Sequence, residues 1–200
     1  PEAASKAKEF YSSFCDTVIE VSSPEVAEAA KIFENTFRQV NIALVNEFAQ
    51  IADALGISGR EVLDAAATKP FGFMGFNPGP GVGGHCIPID PIYLEQKAES
   101  LGITATFIKQ ATTVNQNMPL YIVDRLANIL GNNLKGKKIC IVGLSYKKDV
   151  ADLRQSPSIE LWKELESKGC VVSFHDEIVK TFNGSHSVAL EKSAFDLAVV

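Results

Sequence analysis

The sequence of 200 residues lacks the features that mark several large classes of protein. Its 19 Lys and Arg residues form no basic run and are outnumbered by 24 Asp and Glu. The resulting net charge of −5 argues against a surface that binds nucleic acid. No apolar run approaches the roughly 18 residues of a membrane helix, so we expect no membrane partner. The hydrophobic fraction of 46% instead predicts a globular core.

Cysteine is scarce, and no CxxC pair is present. The four cysteines are Cys15, Cys86, Cys140 and Cys170. Such wide spacing is typical of a reducing compartment rather than of a disulfide framework, which predicts a cytoplasmic protein. The histidines show no ligand spacing with these cysteines, so we predict no metal site.

A long helix is the strongest local signal in the sequence. Ser23-Pro24-Glu25 combines a hydroxyl cap, a proline at the first helical position and an acid in the first turn. Apolar residues then recur every three or four positions until Leu55, and Gly56 follows. The pattern predicts a helix over 24–55 that is apolar on more than one side. We therefore expect a homodimer formed through this helix.

Other elements are predicted on both sides of the long helix. A helix from Ala3 to Phe14 and a strand over Thr17–Ser22 precede it, and we interpret them as the remnant of a larger domain. Ser58-Gly59-Arg60-Glu61 is a capping box, which predicts a helix to about Thr68. Further helices are predicted from Asp90 to Gly102, from Thr104 to Asn115, from Met118 to Gly131 and over Ser156–Lys168.

The pattern changes after Gly136. Lys138–Gly143, Val171–His175 and Asp196–Val200 are predicted strands, and their spacing around a helix favours a βαβ unit with a parallel sheet. The expected fold class is α/β, with an all-helical central dimerisation domain followed by a partial Rossmann-like domain. The expected domains are 1–23, a remnant of a larger domain, 24–117, and 118–200, which we expect to be truncated.

A glycine-rich segment precedes the second cysteine. Gly79–Gly84 formally matches GxGxxG, but no strand precedes it and Pro80 removes an amide donor, so we reject a dinucleotide fingerprint. The segment permits close backbone approach to a ligand. Cys86 is either a small buried hydrophobe or a reactive thiol. Asp90, four residues later, is either a helix cap before Pro91 or a functional carboxylate.

These motifs together resemble the UDP-glucose/GDP-mannose dehydrogenase family. Gly83-Gly84-His85-Cys86-Ile-Pro-Ile-Asp90-Pro resembles the catalytic loop, and Ala27–Asn41 resembles the central helix. Gly143–Lys147 with Asp152–Pro157 resembles the start of the nucleotide-sugar-binding domain. His85 and the segment Thr68–Phe73 are similar to the branch that acts on UDP-N-acetylhexosamines. The role of His85 itself stays open.

The resemblance implies an NAD-dependent oxidoreductase that oxidises the C6 alcohol of a UDP-sugar to the uronic acid through a Cys86 thiohemiacetal and thioester. Cys86 matches the nucleophile, since a thiolate can add to an aldehyde and carry an acyl group. Lys31 and Asn35, spaced i, i+4, match residues that hold water or the oxyanion. Asp90 matches the carboxylate that assists base chemistry. The resemblance places the enzyme in nucleotide-sugar metabolism and polysaccharide biosynthesis.

Binding residues follow from the same resemblance. The substrate side is matched by Asn77, Gly79, Gly81, Gly83 and Lys147. Arg154 matches an arginine on the cofactor side. The alternative interpretation is that Arg154 is a surface charge near the start of the following helix. The family's glycine-rich NAD turn is missing, so we expect this stretch of chain to be inactive by itself.

Other functions remain open at this point. The substrate alternatives are UDP-glucose and GDP-mannose. A non-enzymatic helical dimerisation module would explain the long helix but not Cys86 and Asp90. A different cysteine enzyme, such as an acyl transferase, would need a histidine oriented toward Cys86 from His175 or His186.

Overall fold

The computed structural model describes residues 2–191 and 194–200. The chain forms two compact units, one ending at Glu34 and the other comprising Asn35–Val200. The division falls inside the long helix. The domain boundaries expected after residues 23 and 117 stay predictions.

The first unit contains α1 (Glu2–Tyr11) and the start of the long helix α2 (Pro24–Leu55). The predicted strand over Thr17–Ser22 is wrong, because this segment carries no strand pairing. A strand needs a hydrogen-bonded neighbour, and no neighbour for it lies within 2–191 or 194–200. Its apolar side chains are correspondingly exposed, with Ile19 79% accessible.

The bounds predicted for α2 are confirmed. The hydroxyl of Ser23 accepts a hydrogen bond from the N–H of Val26 at 3.4 Å, as a capping residue does. We expected apolar side chains of α2 to be buried on more than one side, but in the second unit its side chains are distributed differently. The buried face includes the amides of Asn35, Gln39 and Asn46, whereas Leu44 on another face is 62% exposed.

Three further helices complete the helical part: α3 (Gly59–Ala66), α4 (Asp90–Ser100) and α5 (Thr106–Ile129). The Ser58 hydroxyl accepts from the N–H of Glu61 at 3.2 Å, which confirms the predicted capping. The predicted break before Met118 is wrong, because α5 continues through Pro119. Pro119 has no N–H to bond the Asn115 carbonyl, but tertiary packing holds the helix together there. None of the described helices is long and apolar enough to cross a membrane.

The C-terminal part is a βαβ unit, which confirms the predicted parallel sheet. Its elements are β1 (Lys138–Val142), α6 (Pro157–Ser167), β2 (Val171–His175), β3 (Thr181–Phe182), β4 (Ser185–His186) and β5 (Leu197–Val199). The main sheet has the order β2-β1-β5, all parallel, with Ile139 aligned with Val172 and Leu197. Ile139, Ile141 and Phe174 are fully buried beneath α6 residues such as Leu165. The short β3–β4 hairpin was not predicted.

The loop between β1 and α6 is fixed at both ends by side-chain hydrogen bonds. The Ser156 hydroxyl donates to the Leu144 carbonyl at 2.6 Å, and the Ser158 hydroxyl donates to the Gly143 carbonyl at 3.0 Å. Asp176, at the end of β2, accepts the Leu144 N–H at 2.9 Å. This loop carries Lys147 and Arg154, so these hydrogen bonds fix the position of the backbone from which the two side chains extend.

Candidate active site

Cys86 and Asp90 lie one helical turn apart at the start of α4. The N–H of Asp90 donates to the Cys86 carbonyl at 2.8 Å, and the N–H of Ile89 donates to it at 3.1 Å. Residues joined by an i, i+4 turn present their side chains on one face. The Cys86 thiol is exposed and unpaired, so the hypothesis of a buried structural cysteine is wrong.

Asp90 is held from a distant part of the sequence. The Asn35 amide Nδ2 donates to Asp90 Oδ2 at 2.7 Å, across a sequence separation of 55 residues. Asn35 is only 2% exposed, so this amide is fixed within α2. The cap of α4 is Ile89, and no side chain caps its N-terminus, so the interpretation of Asp90 as a helix cap is wrong. Two of the predicted site residues are thus brought into direct contact.

Lys31 lies in the first unit. Its ammonium forms an ion pair with Glu34, three residues later on α2, and both side chains are well exposed. Exposed pairs of this kind contribute little to stability. The catalytic role that the resemblance implies for Lys31 stays a prediction.

The backbone at three of the glycines before Cys86 packs closely against other residues and leaves no room for a side chain. A Cβ at Gly83 would lie 2.4 Å from Tyr146 Cβ, and one at Gly84 would lie 2.7 Å from the Tyr146 ring. A Cβ at Gly81, where φ is +135°, would lie 2.9 Å from the Asn115 carbonyl oxygen. That carbonyl belongs to the residue four before Pro119, which offers it no N–H. Gly79 differs, because a Cβ there would meet nothing within 4 Å.

Arg154 reaches the catalytic loop through its backbone and its charge. The N–H of Gly84 donates to the Arg154 carbonyl at 3.2 Å. The Arg154 side chain donates from Nε and Nη2 to both carboxylate oxygens of Asp152 at 2.6–3.0 Å. These hydrogen bonds lower the pKa of Asp152 to about 2, and His85 contributes weakly in the same direction. Asp152 also raises the pKa of Arg154, with smaller contributions from Tyr146 and Cys86.

The backbone of the predicted cofactor-side arginine is therefore hydrogen-bonded two residues before the predicted nucleophile, Cys86. The interpretation of Arg154 as a charge near the start of α6 stays open, and its guanidinium is bound to Asp152. Asn77 and Lys147 are exposed at the two loops that flank this region. Their binding roles, like those of Gly79, Gly81 and Gly83, stay predictions.

A buried amide network beneath the glycine-rich segment was missed by sequence reasoning. The Asn46 amide Oδ1 accepts the Gly79 N–H at 2.8 Å, and its Nδ2 donates to Asn115 Oδ1 at 2.9 Å. Asn115 Nδ2 in turn donates to the Gln39 carbonyl at 3.2 Å. The available signal was the spacing of Asn35, Gln39 and Asn46, which places three amides along one face of the helix.

A cavity of about 370 Å³ opens beside this network. Gln39, Gly81, Asn115 and Pro157 contribute to its lining, but Cys86, Asn35 and Asp90 do not. The lining includes two carboxylates, from α6, and no Lys or Arg. A pyrophosphate would therefore find no positive charge there, so we separate this cavity from the candidate active site.

The arrangement is suited to covalent chemistry at sulfur. An exposed thiol, a carboxylate one turn away and a buried amide donor provide a nucleophile, a proton acceptor and a hydrogen-bond donor. Within residues 2–191 and 194–200, no cluster of His, Cys, Asp and Glu is arranged to hold a metal ion.

Comparisons with known proteins agree with this chemistry. The model of the UDP-glucose/GDP-mannose dehydrogenase family, central domain, matches residues 25–117, and that of the family's UDP binding domain matches residues 140–198. The chain is 38% identical over 182 residues to the UDP-N-acetyl-D-mannosamine dehydrogenase of Methanococcus vannielii, covering 90% of this chain and 42% of that protein. It is 38% identical over 172 residues to the UDP-N-acetyl-D-glucosamine 6-dehydrogenase of Pseudomonas aeruginosa, covering 84% and 40%.

Solved structures show the same relationship. The structure of a UDP-D-ManNAc dehydrogenase from Pyrococcus horikoshii superposes with a TM-score of 0.81 at 32% identity, covering 94% of this chain and 44% of that one. The chain thus spans less than half the length of these relatives. Two consecutive family models cover most of its residues, and the catalytic loop lies within the first of them. The chain belongs to the UDP-glucose/GDP-mannose dehydrogenase family.

Proposed function

We propose that the complete protein oxidises the C6 alcohol of a UDP-N-acetylhexosamine to the uronic acid, with NAD as the electron acceptor and Cys86 as the nucleophile. The observation that carries the proposal is the contact between Asn35 and Asp90 one helical turn from an exposed thiol. Two relatives, a UDP-N-acetyl-D-mannosamine dehydrogenase and a UDP-N-acetyl-D-glucosamine 6-dehydrogenase, support this substrate class over UDP-glucose or GDP-mannose.

Arg154 is the residue of this chain that fits a place beside the cofactor. Its side chain is 66% exposed and is oriented by Asp152, and its backbone carbonyl accepts the N–H of Gly84, two residues before Cys86. NAD, when bound, accepts the hydride of each of the two oxidations. The Gly79–Gly84 segment is packed against Tyr146 and Asn115, which agrees with its rejection as a dinucleotide fingerprint.

The chain's own residues then account for the covalent half of the reaction. The first oxidation removes a hydride from C6 and a proton from its hydroxyl, and gives an aldehyde. The Cys86 sulfur adds to the aldehyde carbon, the oxygen takes up a proton, and a thiohemiacetal results. The second oxidation removes the C6 hydride and the hydroxyl proton, which leaves a thioester at Cys86. Water then attacks the thioester carbon and displaces the thiol, releasing the uronic acid.

Asn35 and Asp90 are placed to assist the proton transfers and the hydrolysis. The Asp90 carboxylate has one oxygen occupied by Asn35, and Asp90 follows Cys86 by one hydrogen-bonded turn. We propose that Asp90 accepts the proton of the attacking water and that Asn35 fixes the orientation of the carboxylate. For Lys31 we propose the electrostatic role implied by the family, stabilising the developing alkoxide.

We also propose that the protein works as a homodimer through α2. In the second unit, Phe37, Leu44, Ile51 and Leu55 are exposed at spacings of seven, seven and four residues, which places them along one stripe. A contiguous apolar stripe is typical of a surface that binds another protein. A cytoplasmic location and a role in supplying polysaccharide precursors follow from the proposed substrate.

Replacing the nucleophile tests the proposed function. In the complete gene product, Cys86→Ser should lower uronic acid formation by roughly a thousandfold or more, because a serine hydroxyl is far less ionised than a thiol. Cys15→Ser, which alters another exposed cysteine, is the matched control and should keep the rate. Uronic acid formation at the unaltered rate in Cys86→Ser would contradict the proposal.

A further inference from the structure

The segment that contains Cys86 is anchored at both of its ends to one helix. At its start, the N–H of Gly79 donates to Asn46 Oδ1 at 2.8 Å. At its end, Asp90 accepts from the amide of Asn35 at 2.7 Å. Both asparagines belong to α2, and Cys86 lies between the two anchored positions.

Asn35 and Asn46 share a face of α2. Eleven residues separate them, which at 3.6 residues per turn is three turns and roughly 20°. The rise between them is roughly 16 Å at 1.5 Å per residue. Gln39, one turn after Asn35, belongs to the same face and donates from Nε2 to the Thr112 hydroxyl of α5 at 3.0 Å. The buried amide face of α2 thus binds both the segment and α5.

The side chain of Asn46 is fixed by its second bond. Asn46 is fully buried, and its Nδ2 donates to Asn115 Oδ1 at 2.9 Å. The other atom of that amide, Asn115 Nδ2, donates to the backbone carbonyl of Gln39, so its orientation is set as well. The Asn46 amide therefore has one orientation. Exchanging its oxygen and nitrogen would set a donor against the Gly79 N–H and an acceptor against Asn115 Oδ1.

We propose that Asn46 is a positioning residue for Cys86: by holding Gly79, it sets the conformation of residues 79–86 and so the place of the thiol relative to Asn35 and Asp90. This inference rests on the proposed function for its kinetic consequence, but its structural part stands on the hydrogen bonds alone. Asn46 touches neither Cys86 nor Asp90 in these contacts, and its effect passes through the backbone of the segment.

The experiment compares Asn46→Ala with Gln50→Ala in the complete gene product. Gln50 follows Asn46 by one turn and donates to Met118 of α5 at 3.4 Å, so it matches Asn46 in its helix and in the helix it contacts. Gln50 does not bond the segment. Hydrogen–deuterium exchange of the peptide covering residues 77–84 and steady-state kinetics with a UDP-N-acetylhexosamine are measured for both variants.

In Asn46→Ala, exchange of the 77–84 peptide should accelerate about tenfold, and kcat for uronic acid formation should fall about tenfold, the effect of one lost hydrogen bond to a buried group on the position of the nucleophile. Gln50→Ala should change neither value by more than about twofold. Unchanged exchange in Asn46→Ala, or equal changes in both variants, would overturn the proposal. Faster exchange with unaltered kinetics in an active enzyme would also overturn it.

A second variant covers the case in which Asn46→Ala does not fold. In Asn46→Asp, a protonated carboxyl can both accept from Gly79 and donate to Asn115, whereas an ionised one faces the acceptor Asn115 Oδ1 with no proton between the two oxygens, and this repulsion displaces the side chain from Gly79. Exchange of the 77–84 peptide should therefore approach the parent value at low pH and exceed it at high pH, after correction for the intrinsic pH dependence. A constant ratio across pH would contradict the proposal. If the parent protein shows no turnover, the proposed function fails, while the exchange data still decide the role of Asn46.

Discussion

Adding one methyl group at Gly83 tests whether the catalytic loop packs against the β1–α6 loop as described. A Cβ there would lie 2.4 Å from Tyr146 Cβ, 3.0 Å from Pro157 Cδ and 3.1 Å from the Gln155 carbonyl oxygen. The Tyr146 atom is the first of its side chain, so no change of rotamer moves it away. Gly83→Ala must therefore push the two loops apart.

The size of the effect follows from these distances. Carbon atoms pack at about 3.5–4.0 Å, so the loops must separate by roughly 1 Å or more. Overpacking of this kind costs about 1–3 kcal/mol. For a folding unit of about 150–250 residues, such as the second unit, each kcal/mol lowers Tm by about 2–4 °C, so we expect Gly83→Ala to lower the Tm of that unit by about 2–12 °C.

Gly79→Ala is the matched control, since a Cβ at position 79 meets nothing within 4 Å. Its effect on stability should stay within about 0.5 kcal/mol. Thermal unfolding of the complete gene product, followed by calorimetry, measures both variants. Combining Gly83→Ala with Tyr146→Gly should recover part of the loss, because it removes the nearest clashing atom. Equal Tm values for Gly83→Ala and Gly79→Ala would refute the described packing.

Three further predictions concern charge, assembly and the active site. The pKa of Asp152, lowered to about 2 by the hydrogen bonds from Arg154, is below its unfolded value of about 4. The stabilisation that ionised Asp152 provides is thus complete above pH 4 and is lost as the pH falls toward 2. The Tm difference between the parent and Asp152→Asn should therefore shrink as the pH is lowered over that range. A difference that grows would contradict this prediction. Leu44→Asp should convert the dimer to a monomer in light scattering, whereas Val62→Asp, an exposed change on α3, should not. Asn35→Ala should lower kcat about tenfold to a hundredfold by releasing Asp90. Asn41→Ala, which removes an amide that donates to the Phe37 carbonyl of its own helix, is the control and should leave kcat unaltered.

Sequence reasoning located the elements whose signals are local. The serine caps before α2 and α3 and the glycines after α2 and α4 act within one helical turn, so their bounds could be predicted. Met118-Pro119 predicted the start of a new helix for the same local reason. The prediction failed because α5 continues through a proline whose missing hydrogen bond costs less than the packing of Met118, Val123 and Leu126 gains.

Only part of the candidate site could be predicted, because some of its contacts join residues that are far apart in the sequence. The motif that contains Cys86 and Asp90 is contiguous, so both residues could be named from the sequence, and the resemblance added Asn35. The bond between Asn35 and Asp90 depends on tertiary packing, which no spacing reports. Asn46 was overlooked because a buried amide and an exposed one look alike in a sequence. Its partners, Gly79 and Asn115, lie 33 and 69 residues away.

The central claim is that Cys86 carries the substrate covalently, and mass spectrometry tests it most directly. The complete gene product bearing Asp90→Asn, which should slow hydrolysis of the thioester, is incubated with a UDP-N-acetylhexosamine and NAD and then digested. We predict an adduct of the mass of the oxidised nucleotide sugar on the peptide that contains Cys86, dependent on NAD and absent after the further change Cys86→Ser. Persistence of the adduct in the Cys86→Ser protein, or its location at Cys15, would contradict the account.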